Sequence, residues 1–337
     1  MLTIDGSLGE GGGQILRTAL SLSLCTGQAI QLTQIRSHRA KPGLRRQHLT
    51  AVQAAAQLSG GQIEGAAVGS QELRFYPGPI RPGEYTFAIG TAGSTGLVFQ
   101  TLLPALLTAP APSRLILEGG THNPLAPAFE FIQQAFLPLI NRLGPRVEAR
   151  LERYGFYPDG GGRWVADITP CEHLQPLLLT ERGAILKCQA QALRSRLPEH
   201  IAQRELRTVA ALLSWKTLEA VEVLSPGPGN CLNLIVCSEH VTEVFTGFGQ
   251  RGVSAEQVAR ETVAQVQRYL TAGIPVGEHL ADQLLLPLAL AGAGEFITLR
   301  PSRHTLTNMT IIQQLLPVVF ESQELAEDVW RIRAQAP

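Results

Sequence analysis

Two short stretches hold the residues best suited to chemistry. In "LRPSRHTLTN" (residues 299–308), His304 follows Arg300 and Arg303 and is flanked by Ser302, Thr305, Thr307 and Asn308 at the start of a helical pattern. A histidine set among cations beside a helix start is expected to resist protonation, and a neutral imidazole is the form that can attack a phosphorus atom. In "LGEGGGQILRTALSLS" (residues 8–23), one carboxylate, Glu10, precedes three glycines and one cation, Arg17, follows them. Glycines before a helix let backbone N–H groups approach an anion, and the helix dipole favours it. The same stretch also reads as a plain structural turn. Residues 11–63 contain no acidic side chain but carry Arg17, Arg36, Arg39, Lys41, Arg45 and Arg46, a charge of +6 in a chain of net charge zero. This asymmetry describes a surface for anions, or else a solvated basic face offset by acidic neighbours.

Several chemistries are excluded. No G-x-x-x-x-G-K-[ST] occurs, and "GEGGGQ" has Gln14 where a dinucleotide fingerprint needs its third glycine. The eight histidines form no H-E-x-x-H or other close pair, so zinc is not expected. Five cysteines, scattered and without a C-x-x-C, indicate reduced thiols rather than a disulfide framework. No segment reaches the ~20 apolar residues of a membrane span and no cleavable leader is evident, so the chain is expected to be soluble and cytoplasmic. With 337 residues, 45% of them hydrophobic and 17% charged, it is long enough for about two domains.

The elements that must hold these residues recur. "GGGQILRTALSLSL", "GSTGLVFQTLLPALL" and "GEHLADQLLLPLALAG" are each a glycine turn leading into an apolar helix. Each is followed by a second helical pattern: "KPGLRRQHLTAVQAAAQLSG", "NPLAPAFEFIQQAFLPLINRLG" and "RHTLTNMTIIQQLLP". Short β-branched or alternating runs lie between them, so the unit reads as βαβαββ in three copies. The first helices open near Gly11, Gly93 and Gly277; the second step exceeds the first by 102 residues. Residues 182–275 supply roughly that length, with strand and helix patterns of their own. The expectation is an α/β (α+β) chain: a large domain of three units (1–181 and 276–337) and a small α/β domain (182–275) inserted between the second and third units.

"DGSLGEGGGQILRTALSLS", "RAKPGLRRQHLTAV", "GTAGSTGLVFQTLLPAL", "YGFYPDGGG", "ADQLLLPLALAGAGEF" and "SRHTLTN", in this order and over nearly the whole chain, resemble the RNA 3′-terminal phosphate cyclase family. The resemblance implies ATP-dependent conversion of an RNA 3′-phosphate to a 2′,3′-cyclic phosphate, with a divalent metal (Mg or Mn) and no obligatory protein partner. It implies a covalent AMP on His304, then an RNA-adenylate. It implies ATP contacts at Gln100, His279, Leu280, Ala281, Asp282 and Gln283, with His279 where the family often has tyrosine. Metal-side carboxylates would be Glu10 and Asp282, and Arg17, Arg36, Arg39 and Arg46 would clamp phosphates with their bidentate forks. Two other readings are a non-catalytic cyclase-like ribosome-assembly factor, whose kind lacks the nucleophilic histidine, and a small-molecule transferase on a related repeated scaffold.

Overall fold

The computed structural model describes residues 1–9 and 11–336. The first unit runs β1 (Leu2–Asp5), α1 (Gly13–Thr26), β2 (Ile30–Thr33), α2 (Arg46–Ser59), β3 (Gln62–Glu64) and β4 (Leu73–Tyr76), with its strands ordered β1-β2-β4-β3. The second repeats that order with β5 (Glu84–Ala88), α3 (Thr95–Leu106), β6 (Ser113–Gly119), a second helical stretch, β7 (Arg146–Arg153) and β8 (Gly162–Thr169), ordered β5-β6-β8-β7. That stretch joins α4 (Phe129–Phe131), a π-helical turn (Ile132–Phe136) and α5 (Leu137–Arg142). The chain is thus a mixed α/β fold of repeated units, as the periodicity indicates.

The third sheet contains β9 (Leu177–Leu179), β14 (Ala293–Thr298), β15 (Val319–Ala326) and β16 (Val329–Gln335), with α8 (Glu278–Leu290) and α9 (Arg303–Leu315) beside it. β9 pairs in parallel with β14 through Leu177–Gly294 and its neighbours. The long extra segment therefore does not lie between the second and third units, as the spacing suggested. It interrupts the third unit after its first strand. A three-residue strand in "QPLLLTERG" is too short for its periodicity to register, so the spacing of helices alone misplaces the break.

That segment contains β10 (Ile185–Ser195), α6 (Glu199–Leu213), β11 (Thr217–Glu222), β12 (Gly229–Ser238), β13 (Thr242–Phe248) and α7 (Ala255–Ala272), with strands ordered β11-β10-β12-β13. Its strand β12 is buried on both faces, and alternation along β12 and β13 sorts the two sides. Leu232, Leu234, Val236 and Phe245 join the core under α6 and α7, whereas Ile235 and Val244 join the core of the repeated units.

Local chemistry sets the helix ends nearest the site. Ser302 accepts from the Thr305 N–H and caps α9, and Ser94 caps α3 in the same way through the Leu97 N–H. α1 closes on Gly27 in the left-handed conformation, where its N–H reaches the Ser23 carbonyl. The helical pattern from Lys41 is shortened: Gly43 sits at φ 74° with its N–H on the Ile35 carbonyl, and the helix starts only at Arg46. A side chain on Gly43 would run into the Gly69 backbone.

Candidate active site

The first helices of the three units meet around one cleft of about 330 Å³. α1 contributes Gln14 and Arg17, α3 contributes Leu97 and Gln100, and α8 contributes Glu278, His279, Asp282 and Gln283; Ser302 and His304 come from the start of α9. The remaining walls are the loop 125–128 with Phe131, and one face of β13 through Val244, Thr246 and Phe248. Beneath it is a narrower cavity where α1, α3 and α8 come together, lined by Arg17 and Ser21, Gln100 and Pro104, and Gln283 and Pro287.

A chain of hydrogen bonds fixes the histidine. The Gln14 amide donates from Nε2 to Asp282 Oδ1 at 2.6 Å, and its Oε1 lies 2.8 Å from His304 Nδ1. The carboxylate can only accept, so the amide presents oxygen to the imidazole; an amide oxygen in turn can only accept, so Nδ1 carries the proton. In the neutral ring the lone pair is then on Nε2. Asp282 also accepts from Asn308 Nδ2 at 3.3 Å, and Asn308 Oδ1 accepts from Thr18 Oγ1 at 2.7 Å. Burial raises the Asp282 carboxyl, opposed by its hydrogen bond from Gln14 and by the nearby His304 and Arg17.

Arg17 donates from Nε to Gln100 Oε1 at 3.2 Å. Burial lowers its guanidinium to about 10, with Asp282 pulling the other way, so it stays cationic at neutral pH. On its other side is the glycine loop: a Cβ at Gly13 would come within 3.1 Å of Arg17 Nη1 and would collide with His48 Nε2, and a Cβ at Gly12 would come within 3.1 Å of Arg39 Nη2. His48 is buried, and burial together with Arg17, Arg36 and Arg45 pushes its imidazole down to about 3. Its Nδ1 accepts from the Arg45 N–H at 3.1 Å, so the neutral ring carries its proton on Nε2, toward the loop.

His304, Gln100, His279, Asp282, Gln283 and Arg17 are thus brought together. Leu280 and Ala281 are not: they are 0% and 2% exposed and belong to the apolar core, on the inward side of α8. Arg36, Arg39 and Arg46 do not line the cleft either. Arg36 donates to the Lys41 and Gly43 carbonyls, both at 2.9 Å, and so braces its own loop. Arg46 is exposed at the first residue of α2. Glu10 lies outside the described residues. Among the described residues no group of three or more His, Cys, Asp or Glu could hold a metal ion. Asp282 by itself, turned toward two side-chain amides, does not make such a seat. Sequence reasoning missed the bridge, Gln14, and the buried His48; the only local sign of the former is a polar residue in the buried first turn of α1.

The chain matches the family model described as RNA 3′-terminal phosphate cyclase over residues 8–322. It is 53% identical to the RNA 3′-terminal phosphate cyclase of Pseudomonas fluorescens, across 100% of this chain and 98% of that one. It is 52% identical to the protein of that name from Koribacter versatilis over 96% and 92% of the two chains, and 53% identical to that of Ralstonia nicotianae over 94% and 92%. On this similarity, running almost from end to end, the chain is an enzyme belonging to the RNA 3′-terminal phosphate cyclase family.

Proposed function

We propose that the protein uses ATP to convert an RNA 3′-terminal phosphate to a 2′,3′-cyclic phosphate through a histidine-AMP and an RNA-adenylate, acting in the cytoplasm. The observation that carries the reading is the Asp282–Gln14–His304 chain at the mouth of the cleft. With the proton held on Nδ1, Nε2 is the nitrogen that attacks the α-phosphorus of ATP: a P–N bond forms, the bond from that phosphorus to the bridging oxygen breaks, and pyrophosphate departs. An oxygen of the RNA 3′-phosphate then attacks the same phosphorus and restores the imidazole. Finally the 2′-hydroxyl attacks the activated 3′-phosphorus, loses its proton and expels AMP; holding the two groups adjacent supplies several kcal/mol toward that closure.

In this reading Gln100, His279 and Gln283 receive the nucleotide, and Arg17 holds its phosphates at the glycine loop. Arg39, on the loop that Arg36 braces, and Arg46, at the start of α2, meet the RNA phosphate. A divalent ion would be carried mainly by nucleotide phosphates and water, with Glu10 as its protein-side carboxylate. Residues 182–275 are taken as the inserted domain.

The test is incubation with α-labelled ATP and a divalent metal, followed by denaturation. Retained label that is acid-labile, comparatively base-stable and absent from His304→Ala supports the reading. Label persisting in His304→Ala would remove that residue as nucleophile, and no label in the wild type would remove the covalent route.

A further inference from the structure

α8 carries four of the cleft residues, Glu278, His279, Asp282 and Gln283, yet its N-cap residue is Gly277, which offers no side chain to satisfy the helix start. The N–H of the cap residue itself is instead held by another element. Glu243 on β13, only 2% exposed, accepts the Gly277 N–H through Oε1 at 2.5 Å. The lead-in to α8 is held at two more points. Tyr269 on α7 donates its hydroxyl to the Pro275 carbonyl at 3.1 Å, and the Val276 N–H reaches the Ile297 carbonyl at 3.2 Å. Two of these three tethers, Glu243 and Tyr269, come from the segment that interrupts the third unit. β13 serves both ends of the arrangement: Val244, Thr246 and Phe248 on one face wall the cleft, while Glu243 on the other fastens the helix opposite.

We propose that Glu243 is a positioning residue for the nucleotide cleft: by capping α8 from β13, it fixes the first turns of that helix and so sets the affinity of the His279–Gln283 segment for ATP. The part of this that concerns ATP rests on the function proposed above; the capping itself does not. Glu243 touches no reacting atom. Its neighbours are Tyr269 and, over the Tyr269 ring at 5.6 Å, Arg182. Burial pushes the Glu243 carboxyl up to about 8, so it is largely protonated at neutral pH and glutamine is its close mimic.

The experiment compares Glu243→Ala, Glu243→Asp and Glu243→Gln in the full chain. Amide hydrogen exchange without ligand reads the cap directly. Exchange across residues 277–282 should quicken about tenfold or more in the alanine and aspartate variants, the second because its shorter arm withdraws the acceptor, and should stay near wild type in the glutamine variant. The ATP dependence of enzyme-AMP formation reads the consequence: the half-saturating ATP concentration should rise about tenfold in the first two variants, with the maximal rate within about threefold of wild type and with glutamine restoring the affinity. Unchanged exchange in both the alanine and aspartate variants, or a glutamine variant as impaired as alanine, overturns the proposal. If exchange responds as stated but the wild type takes no label from ATP, the cap stands and the proposed chemistry fails. If exchange responds and ATP saturation does not move, the link from cap to cleft fails. Should alanine not fold, the aspartate and glutamine pair decides alone.

Discussion

A histidine becomes a nucleophile through its neighbours. His304 was legible as a candidate from its cationic and hydroxyl-bearing surroundings, but its governing contact was not, because Gln14 is 290 residues from His304 along the chain and 268 from Asp282. No local pattern announces that three such positions share one hydrogen-bonded chain. Gln14→Ala should slow enzyme-AMP formation at saturating ATP by roughly ten- to a hundredfold, the equivalent of about 1.5–3 kcal/mol for a charge-linked hydrogen bond. Single-turnover labelling checks this, and a rate equal to wild type would show that the imidazole needs no such tether. The arginines divide differently. Arg39→Ala should leave enzyme-AMP formation largely intact and impair AMP transfer to RNA, with lysine restoring only part because it lacks the bidentate fork. The transfer defect should be read by chasing preformed enzyme-AMP with RNA 3′-phosphate at two salt concentrations, since phosphate contacts weaken as salt rises. Loss of self-adenylylation with normal transfer would instead assign Arg39 to ATP.

Elements were read best where apolar periodicity runs long and worst where a turn cuts it. The first helices of all three units follow from their glycine-to-apolar patterns, and α9 follows from Ser302. Residues 41–45 read in sequence as the start of the helical pattern, but Gly43 is needed as a turn against Gly69. The tripeptide strand β9 carries no period at all, which is why the interruption of the third unit was invisible. The glycine loop before α1 presents the sharpest demand on local structure. Gly13→Ala would force a methyl into His48 and toward Arg17, so labelling should fall by more than tenfold while the circular dichroism spectrum stays that of the folded protein. Normal labelling in that variant would mean that the loop has room to give and that its close approach to the two side chains is incidental.

At the scale of the molecule, two buried carboxyls give stability a direction with pH. Burial lifts Glu205 to about 7 and Glu243 to about 8, from about 4.5 in the unfolded chain. The folded state therefore holds more protons between pH 5 and 8, and its stability is fullest below the unfolded value and falls as pH rises through the folded values, by up to about 1.4 kcal/mol per pH unit for each group. Glu256, held down to about 2 by Arg204, works the other way, and its contribution disappears as acid protonates it. Urea unfolding at pH 5, 6.5 and 8 should show the alkaline loss, and Glu205→Gln should flatten it; a variant with an unchanged slope would refute that source. The repeat itself, legible from three glycine-to-helix patterns, has a further consequence at this scale. Aligned by their shared sequence pattern, Arg17, Gln100 and Gln283 are one position written three times, as are Ser21, Pro104 and Pro287, and all six surround the same narrow cavity. In a ring of three identical subunits, any substitution at such a point would appear three times at once, and the centre could never differ from one side to another. Joined in one chain, each copy is free to change alone, so a symmetric frame can house a cation on one side and amides on the others, the inequality that a directional reaction needs.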